Sequence, residues 1–418
     1  MADTFSGTVA VVGLGYIGLP TAVVLATRDI DVIGVDIDPR IVSAVSRGEV
    51  PFAEPDLAVS LAGAVAMGTL SATDTVPLAD AYIIAVPTPF NADHTADLSY
   101  VRRATEQIAP QLRGGEIVVL ESTSPPGTTE SVSRWLSELR PDLRLPHTDE
   151  GLPDIHIAHC PERVLPGRIM IEMITNDRVV GGITPLCAQR AASIYRVFCQ
   201  GEICLTDAAS AEMAKLVENA YRDINIAFAN ELSYVSDELE LDVWEVIRLA
   251  NRHPRVNILS PGPGVGGHCI AVDPWFIVGA SPGSAKLIRT AREINDSKPN
   301  YVAQQVIETC TRFKNPTVAC LGLTFKANVD DIRESPALHV VELIAKALPD
   351  VELLLADPFV HEVPDTLAGY ESVRTARCRD AIAAADIVVE LVDHDQFRSL
   401  SRSLLAGKVV YDTRGVWR

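Results

Sequence analysis

No CxxC pair occurs in this chain. Its eight cysteines, at 160, 187, 199, 204, 269, 310, 320 and 378, are scattered, which argues against both a disulfide framework and a structural zinc site. The segment His156-Ile-Ala-His-Cys160 does not restore a metal, because strand alternation would send His156 and His159 to opposite faces. Long apolar runs are missing too. None reaches the eighteen or so residues that a membrane helix needs. The opening MADTFSGTVAVVGLGYIGLP lacks a basic stretch before its apolar part, so it reads as strand and turn, not as a signal peptide, and a cytoplasmic location is the expectation. Cations are outnumbered, with 36 Lys and Arg against 55 Asp and Glu and a formal charge of −19. That balance opposes nonspecific binding to nucleic acid or to an anionic membrane. An anionic ligand would need the few cations concentrated around it.

The 418 residues are 47% hydrophobic and 22% charged, as in soluble globular enzymes, and at roughly 150 residues per domain two or three domains are expected. The first is readable at once. Thr8-Val-Ala-Val-Val12 is a short β-branched run, Gly13-Leu-Gly15-Tyr16-Ile17-Gly18 follows, Leu19 to Thr27 reads as helix, and Asp31-Val-Ile-Gly-Val-Asp36 as a second strand ending in an acid. This is the strand, glycine turn, helix, strand and acid order of a dinucleotide fold. Gly13 and Gly15 would let backbone amides approach a pyrophosphate at a helix N-terminus, and Gly18 would let the helix pack close to the strand. Asp36 would accept from a ribose 2′-hydroxyl and repel a 2′-phosphate, which favours NAD; Arg40 is the one nearby cation that argues the other way. The candidate cofactor contacts are therefore Gly13, Gly15, Tyr16, Ile17, Gly18, Asp36 and Arg40. Further strands at Ala81 to Val86 and Glu116 to Leu120 end in Pro87-Thr88-Pro89 and Ser122-Thr123-Ser-Pro-Pro-Gly127. Thr88 and Thr123 are cofactor-edge candidates there, and equally well simple strand terminators.

From Ser210 to Ala250 neither Gly nor Pro occurs. The spacing predicts one long helix, or two joined near Leu241-Asp242, with Ser210 as a cap that places Glu212 in the first turn. Met213, Leu216, Val217, Ala220, Ile224, Ala227 and Phe228 make an apolar face, for core or subunit packing; its width suggests a homodimer or higher oligomer. Lys215, Asn219 and Arg222 form a polar line at i, i+4 and i+7. After Pro299 an α/β pattern restarts, with strands at Thr317 to Leu321, Val351 to Ala356, Asp386 to Val392 and Lys408 to Asp412 and a helix from Pro336 to Ala347. This half lacks GxGxxG. Lys326 and Arg333 stand on the loop before its helix. The expected architecture is α/β: two Rossmann-like, doubly wound parallel-sheet domains, 1–205 and 301–418, joined by a central helical domain, 206–300, that holds GPGVGGHCIAVDP. In that last stretch Cys269 sits among glycines, where a small buried hydrophobe is the plain reading.

The segments GLGYIGLPTA, VPTPF, ESTSPPGTT, CPERVLPG, AEMAKLVENAYRDINIAFANEL, NRHPRVN, GPGVGGHCIAVDP and FKANVDDIRESPA, in this order, resemble the UDP-glucose/GDP-mannose dehydrogenase family over essentially the whole chain. The resemblance implies oxidation of the C6 alcohol of a nucleotide sugar to a carboxylate with two NAD in succession. An aldehyde has no carbinol hydride to give until a nucleophile adds to it, and by resemblance Cys269 is that nucleophile. A cation such as Lys215 would help to form its thiolate. Lys215 and Asn219 match the family's oxyanion and acid–base pair, Glu162 and Asp273 the positions that handle the hydrolytic water, and Thr123 lies nearby. Arg163, Val164, Arg222, His253, Arg255 and Gly266 match positions lining the nucleotide-sugar pocket, while Lys326 and Arg333 match cations near the diphosphate and cofactor. Where UDP-glucose members carry Pro-Glu-Phe-Leu, this chain has Pro161-Glu-Arg-Val. The arginine argues for an amide-bearing or otherwise different sugar in place of glucose; by resemblance UDP-N-acetyl-D-mannosamine is the expected substrate, with UDP-N-acetylglucosamine, its epimer at C2, and UDP-glucose as the alternatives. A noncatalytic nucleotide-sugar sensor and a two-electron dehydrogenase are the rival readings; each would leave Cys269 idle.

Overall fold

A computed structural model describes residues 4–52, 54, 56–91, 93–148, 151–164, 167–267 and 269–417; Leu165 and Pro166 of the CPERVLPG segment lie outside them. The chain divides into two compact units, Met1–Glu218 and Asn219–Arg418.

In the first unit the β-branched runs become strands, and the central ones, at 8–12, 81–84, 117–120 and 156–159, are buried on both faces, as a parallel sheet covered by helices requires, while the edge strands at 70–73 and 203–207 are largely unburied. The strands are β1 (Thr8–Val12), β2 (Asp31–Val35), β3 (Leu70–Thr73), β4 (Ala81–Ile84), β5 (Ile117–Leu120), β6 (His156–His159), β7 (Arg178–Gly182) and β8 (Ile203–Asp207), in the order β3-β2-β1-β4-β5-β6-β7-β8. All neighbours are parallel except β6 and β7. Along β1, Val9 and Val11 enter one core and Ala10 and Val12 the other. Helix α1 (Gly18–Ala26) is buried over its whole length. The strand order reverses between β1 and β4, so a ligand crevice opens at their carboxyl ends. Helix α2 (Thr128–Leu139) follows β5.

The stretch without Gly or Pro forms two helices, α3 (Ala208–Glu238) and α4 (Val243–Ala250), with Asp242 capping the second by accepting from the Trp244 amide. The expected Ser210 cap is corrected. Helix α3 starts at Ala208, and Asp207 accepts from both the amide (2.8 Å) and the hydroxyl (2.6 Å) of Ser210. Asp207 ends a strand, and a carboxylate there reaches the first helical amides better than a hydroxyl already inside the helix. Of the apolar α3 face, Leu216, Ala220 and Ala227 are buried, while Met213, Val217 and Phe228 are exposed.

The second unit continues with α5 (Asp273–Ala280), α6 (Lys286–Cys310) and α7 (Pro336–Ala347). Its sheet consists of β9 (Thr317–Leu321), β10 (Glu352–Ala356), β11 (Val373–Thr375), β12 (Ile387–Glu390) and β13 (Val409–Asp412), all parallel in the order β11-β10-β9-β12-β13. Both halves are therefore Rossmann-like.

Candidate active site

The glycine turn after β1 is built by contact. Gly13 has φ +97°, and a Cβ there would lie 2.5 Å from the Ala85 carbonyl oxygen; one on Gly18 would lie 1.9 Å from the Gly13 oxygen. Gly15 differs, because a Cβ on it would meet nothing within 4 Å. Its bare face opens outward beside the start of α1, which has no side-chain cap on its amides. Such a helix end is suited to a phosphate. Asp36 accepts from the Leu14 amide (2.9 Å) and the Asp38 amide (2.9 Å), which fixes its carboxylate at the end of β2 and leaves lone pairs for ribose hydroxyls. Open glycine, uncapped helix and fixed acid fit NAD. Tyr16 is exposed and stacks on Phe52, and Ile17 is the α1 N-cap. The Arg40 guanidinium is spent on Asp38, at 2.7 Å.

Two latches join the loops after β4 and β5. The Thr88 hydroxyl donates to the Thr123 carbonyl oxygen (2.6 Å), and Ser122 donates to Val86 (2.7 Å). Beyond them, buried Glu212 accepts from the amides of Gly127 (2.6 Å) and Thr129 (2.7 Å) and from the Thr129 hydroxyl, so α3 caps α2 across the sequence.

Glu162 is buried. Its Oε2 lies 2.9 Å from Nη2 of Arg178, and its Oε1 accepts from the Arg163 amide. Arg178 is itself buried against the rings of Tyr195 and Phe198. A second carboxyl shares this cation's surroundings: Glu121 accepts from Thr21 (3.0 Å) and Tyr195 (3.1 Å), and burial, reinforced by the charge of Glu162, pushes it up to about 7. The Arg163 guanidinium pairs with Glu218 at 2.7 Å; Val164 packs against the sheet core. Lys215 is half-buried one turn before Asn219 on α3.

In the second unit, Cys269 is exposed and its carbonyl oxygen accepts from the Asp273 amide (2.8 Å). The buried Asp273 carboxylate in turn accepts from Asn219 Nδ2 at 2.5 Å. A Cβ on Gly266 would lie 2.3 Å from the Glu334 carbonyl oxygen, and one on Gly267 (φ +86°) would lie 3.1 Å from the Phe325 ring. The glycines thus let this loop lie directly on the 322–335 loop. Arg222, His253 and Arg255 are exposed, the last two on a turn closed by Asn251, which exchanges two hydrogen bonds with Ile258. Lys326 is exposed, with its carbonyl oxygen bonded to Thr324, while Arg333 forks onto Asp331 at 2.9 and 2.6 Å.

Comparison with known proteins decides the class. The UDP-glucose/GDP-mannose dehydrogenase family matches over all three of its parts: the NAD binding domain at residues 7–199, the central domain at 209–297 and the UDP binding domain at 319–418. The chain belongs to the UDP-glucose/GDP-mannose dehydrogenase family. It is an NAD-dependent oxidoreductase of UDP-sugars. Among relatives of this family, the NDP-N-acetyl-D-galactosaminuronic acid dehydrogenase of Ralstonia nicotianae is 55% identical over 98% of this chain and 96% of its own length. The UDP-N-acetyl-D-mannosamine dehydrogenase of Escherichia coli is 52% identical over 98% and 99%. A solved UDP-D-ManNAc dehydrogenase from Pyrococcus horikoshii superposes with a TM-score of 0.87 at 38% identity, over 98% of this chain and 96% of the other.

Some residues of this dehydrogenase leave little signal in the sequence. Glu121 lies in ESTSPPGTT but carries no spacing signal. Arg178 meets Glu162 only where β7 turns back beside β6, and Glu212, expected in the first turn of its own helix, instead caps α2 more than 80 residues earlier.

Proposed function

We propose that this protein oxidises the C6 hydroxyl of UDP-N-acetyl-D-mannosamine to the carboxylate in two hydride transfers. NAD, held at the 13–18 glycine turn, would supply the hydride acceptor for each oxidation. The first oxidation removes a hydride and a proton from the alcohol and gives the aldehyde. The Cys269 thiolate then adds to the aldehyde carbon, the resulting thiohemiacetal loses its hydride, and the thioester is cleaved by water to the acid and free thiol. The observation that carries this reading is the placement of Cys269, exposed on a glycine-packed loop and tied through Asp273 to Asn219.

In this reading Lys215 and Asn219 stabilise charge on the reacting oxygen, and Lys215 favours the thiolate. Glu162 and Asp273 handle the hydrolytic water, with Thr123 at its edge. The buried Arg178 holds the Glu162 carboxylate in place, 2.9 Å away. Arg163, Val164, Arg222, His253, Arg255, Gly266 and Lys326 line the nucleotide sugar, and Gly13, Gly15, Tyr16, Ile17, Gly18, Asp36, Thr88 and Arg333 address the cofactor. The product is an aminouronic acid for surface polysaccharide, made in the cytoplasm by a homodimer or higher oligomer that covers Val217, Tyr221 and Phe228, all exposed on α3. Among the described residues no helix is long and apolar enough to cross a membrane.

The Ralstonia relative favours a second reading, in which the same chemistry acts on an N-acetylgalactosamine nucleotide. One experiment addresses both: moles of NADH per mole of sugar with excess NAD, for UDP-N-acetylmannosamine beside the galactosamine, N-acetylglucosamine and glucose nucleotides. Two per mole on the mannosamine sugar alone is expected, with no more than one for Cys269→Ala. A ratio of one in the wild type rejects the thioester route; two on another sugar moves the specificity.

A further inference from the structure

One chain of hydrogen bonds in the second unit has a direction. Asp223 on α3 is fully buried and paired with Arg292 of α6, also fully buried. Asn295 Nδ2 donates to the Asp223 carboxylate (2.8 Å) and to its carbonyl oxygen (3.0 Å). Asn230 Nδ2 donates to Asn295 Oδ1 (2.8 Å), and Asn230 Oδ1 accepts from the Gly262 amide (2.9 Å). One end of this chain can only accept and the other can only donate. Each residue between must therefore donate on one side and accept on the other, which a buried primary amide does and an isosteric carboxylate does not.

Gly262 opens the loop that carries Cys269. The next glycines are pressed onto their surroundings: a Cβ on Gly264 would lie 2.9 Å from Pro336 and 3.3 Å from the Asn295 carbonyl oxygen, and Gly266 faces Glu334. Packing fixes the far side of the loop, and its first amide is fixed by Asn230. We infer that Asn230 and Asn295 are positioning residues for the nucleophile, an amide relay running from Asp223 to Gly262 that sets where the Cys269 loop leaves α3 and α6. A buried polar chain is costly to satisfy and specifies one geometry when complete. Here that geometry links the helix carrying Asn219 and Arg222 to the loop carrying Cys269. The relay matters most for the second oxidation, because only that step asks the sulfur to meet the aldehyde carbon.

This inference rests on Cys269 being the acyl carrier, and the test separates the two. Asn230→Asp, Asn295→Asp and their double variant are compared with Asn225→Asp, an amide on α3 outside the relay that donates to its own helix at Tyr221. The first hydride transfer is followed by stopped flow, and escaping aldehyde is trapped with hydroxylamine. The expected result is a first transfer within ~3-fold of wild type, NADH per sugar falling from two toward one in both single variants, and a double variant no worse than the poorer single one, since one broken link already frees Gly262. Asn225→Asp stays at two. If a carboxylate variant does not fold, Asn230→Ala and Asn295→Ala are read in the same way. Singles that keep two NADH per sugar, or losses that multiply in the double, overturn the relay while leaving the thioester route intact. Two NADH per sugar from Cys269→Ala overturns that route instead.

Discussion

Two strands of this molecule end alike and serve opposite purposes. After β1 comes Gly13 at φ +97°, after β9 comes Gly322 at φ +91°. The Gly13 amide donates to Val35 and the Gly322 amide to Ala356, each the last residue of the neighbouring strand. The following leucine amides donate to the acid just beyond, Leu14 to Asp36 at 2.9 Å and Leu323 to Asp357 at 2.7 Å. There the likeness stops. Both acids are half-buried as whole residues, but Asp36 accepts from backbone amides, whereas the Asp357 side chain is fully buried and takes His394 Nε2 at 3.2 Å. His394 Nδ1 accepts from the Asn328 amide (3.0 Å), which leaves its proton on Nε2, aimed at Asp357. Burial works to raise the Asp357 carboxyl, but His394 and the Leu323 and Phe359 amides outweigh it and hold it below the ordinary range. The same backbone device leaves an acid with lone pairs to spare in the first unit and, in the second, locks the loop that displays Lys326.

The comparison breaks most visibly at the acids themselves. Asp36→Ala should weaken NAD binding on the order of 10- to 100-fold, the loss of one charge-assisted hydrogen bond, whereas Asp357→Ala should leave NAD affinity unchanged and lower the melting temperature. Calorimetric titration with NAD beside a thermal scan reads both, and equal NAD losses in the two variants would erase the distinction. The glycines give a smaller contrast. Gly15→Ala has room, so the fold should keep its melting temperature while NAD affinity falls roughly 10-fold from the methyl group crowding a phosphate. In Gly322→Ala the Cβ would lie 2.5 Å from that of Val392, so stability should drop with no change specific to NAD.

A pH contrast is smaller again. Each sheet buries a glutamate at a strand end, Glu121 after β5 and Glu390 closing β12. Native Glu121 keeps its proton to about 7, while the unfolded carboxyl loses it near 4.5. The native state then binds more protons between those values, so its stability falls as pH rises through that window and stays reduced above it. The penalty is on the order of 3 kcal/mol at most. Glu121→Gln should therefore gain melting temperature relative to wild type at pH 8 and not at pH 5; a gain independent of pH would remove the titration. Smallest of all, Arg40→Ala should leave NAD affinity within about twofold, because an exposed ion pair with Asp38 contributes little.

What could be read in the sequence was whatever one element announces by itself. Runs such as Thr8–Val12 and Thr317–Leu321 are apolar enough to name their own strands, and the Gly13 to Gly18 turn and Asp36 stand at a fixed spacing. Strands β7 and β8 announced themselves poorly: Arg178 and two glycines interrupt the first, and most of the second is not buried. Ser210 has the composition of a cap, but the better ligand, Asp207, ends a strand and so gives no helix signal in the sequence. Asp357 directly follows the strand that ends at Ala356, but nothing nearby in the chain shows that His394 closes it. Partnerships across sequence distance, Glu212 with α2 or Asn230 with Gly262, leave no periodic trace.

The Glu212 cap also bears on the order in which the chain can become stable as it is made. All eight strands of the first sheet are complete once Asp207 has been synthesised, yet the amides that begin α2 still await a carboxylate from the next helix. A fragment ending at 205 would leave those donors to water, and one ending at 218 would satisfy them. The first unit therefore finishes folding only after translation has entered the helix that begins the rest of the protein.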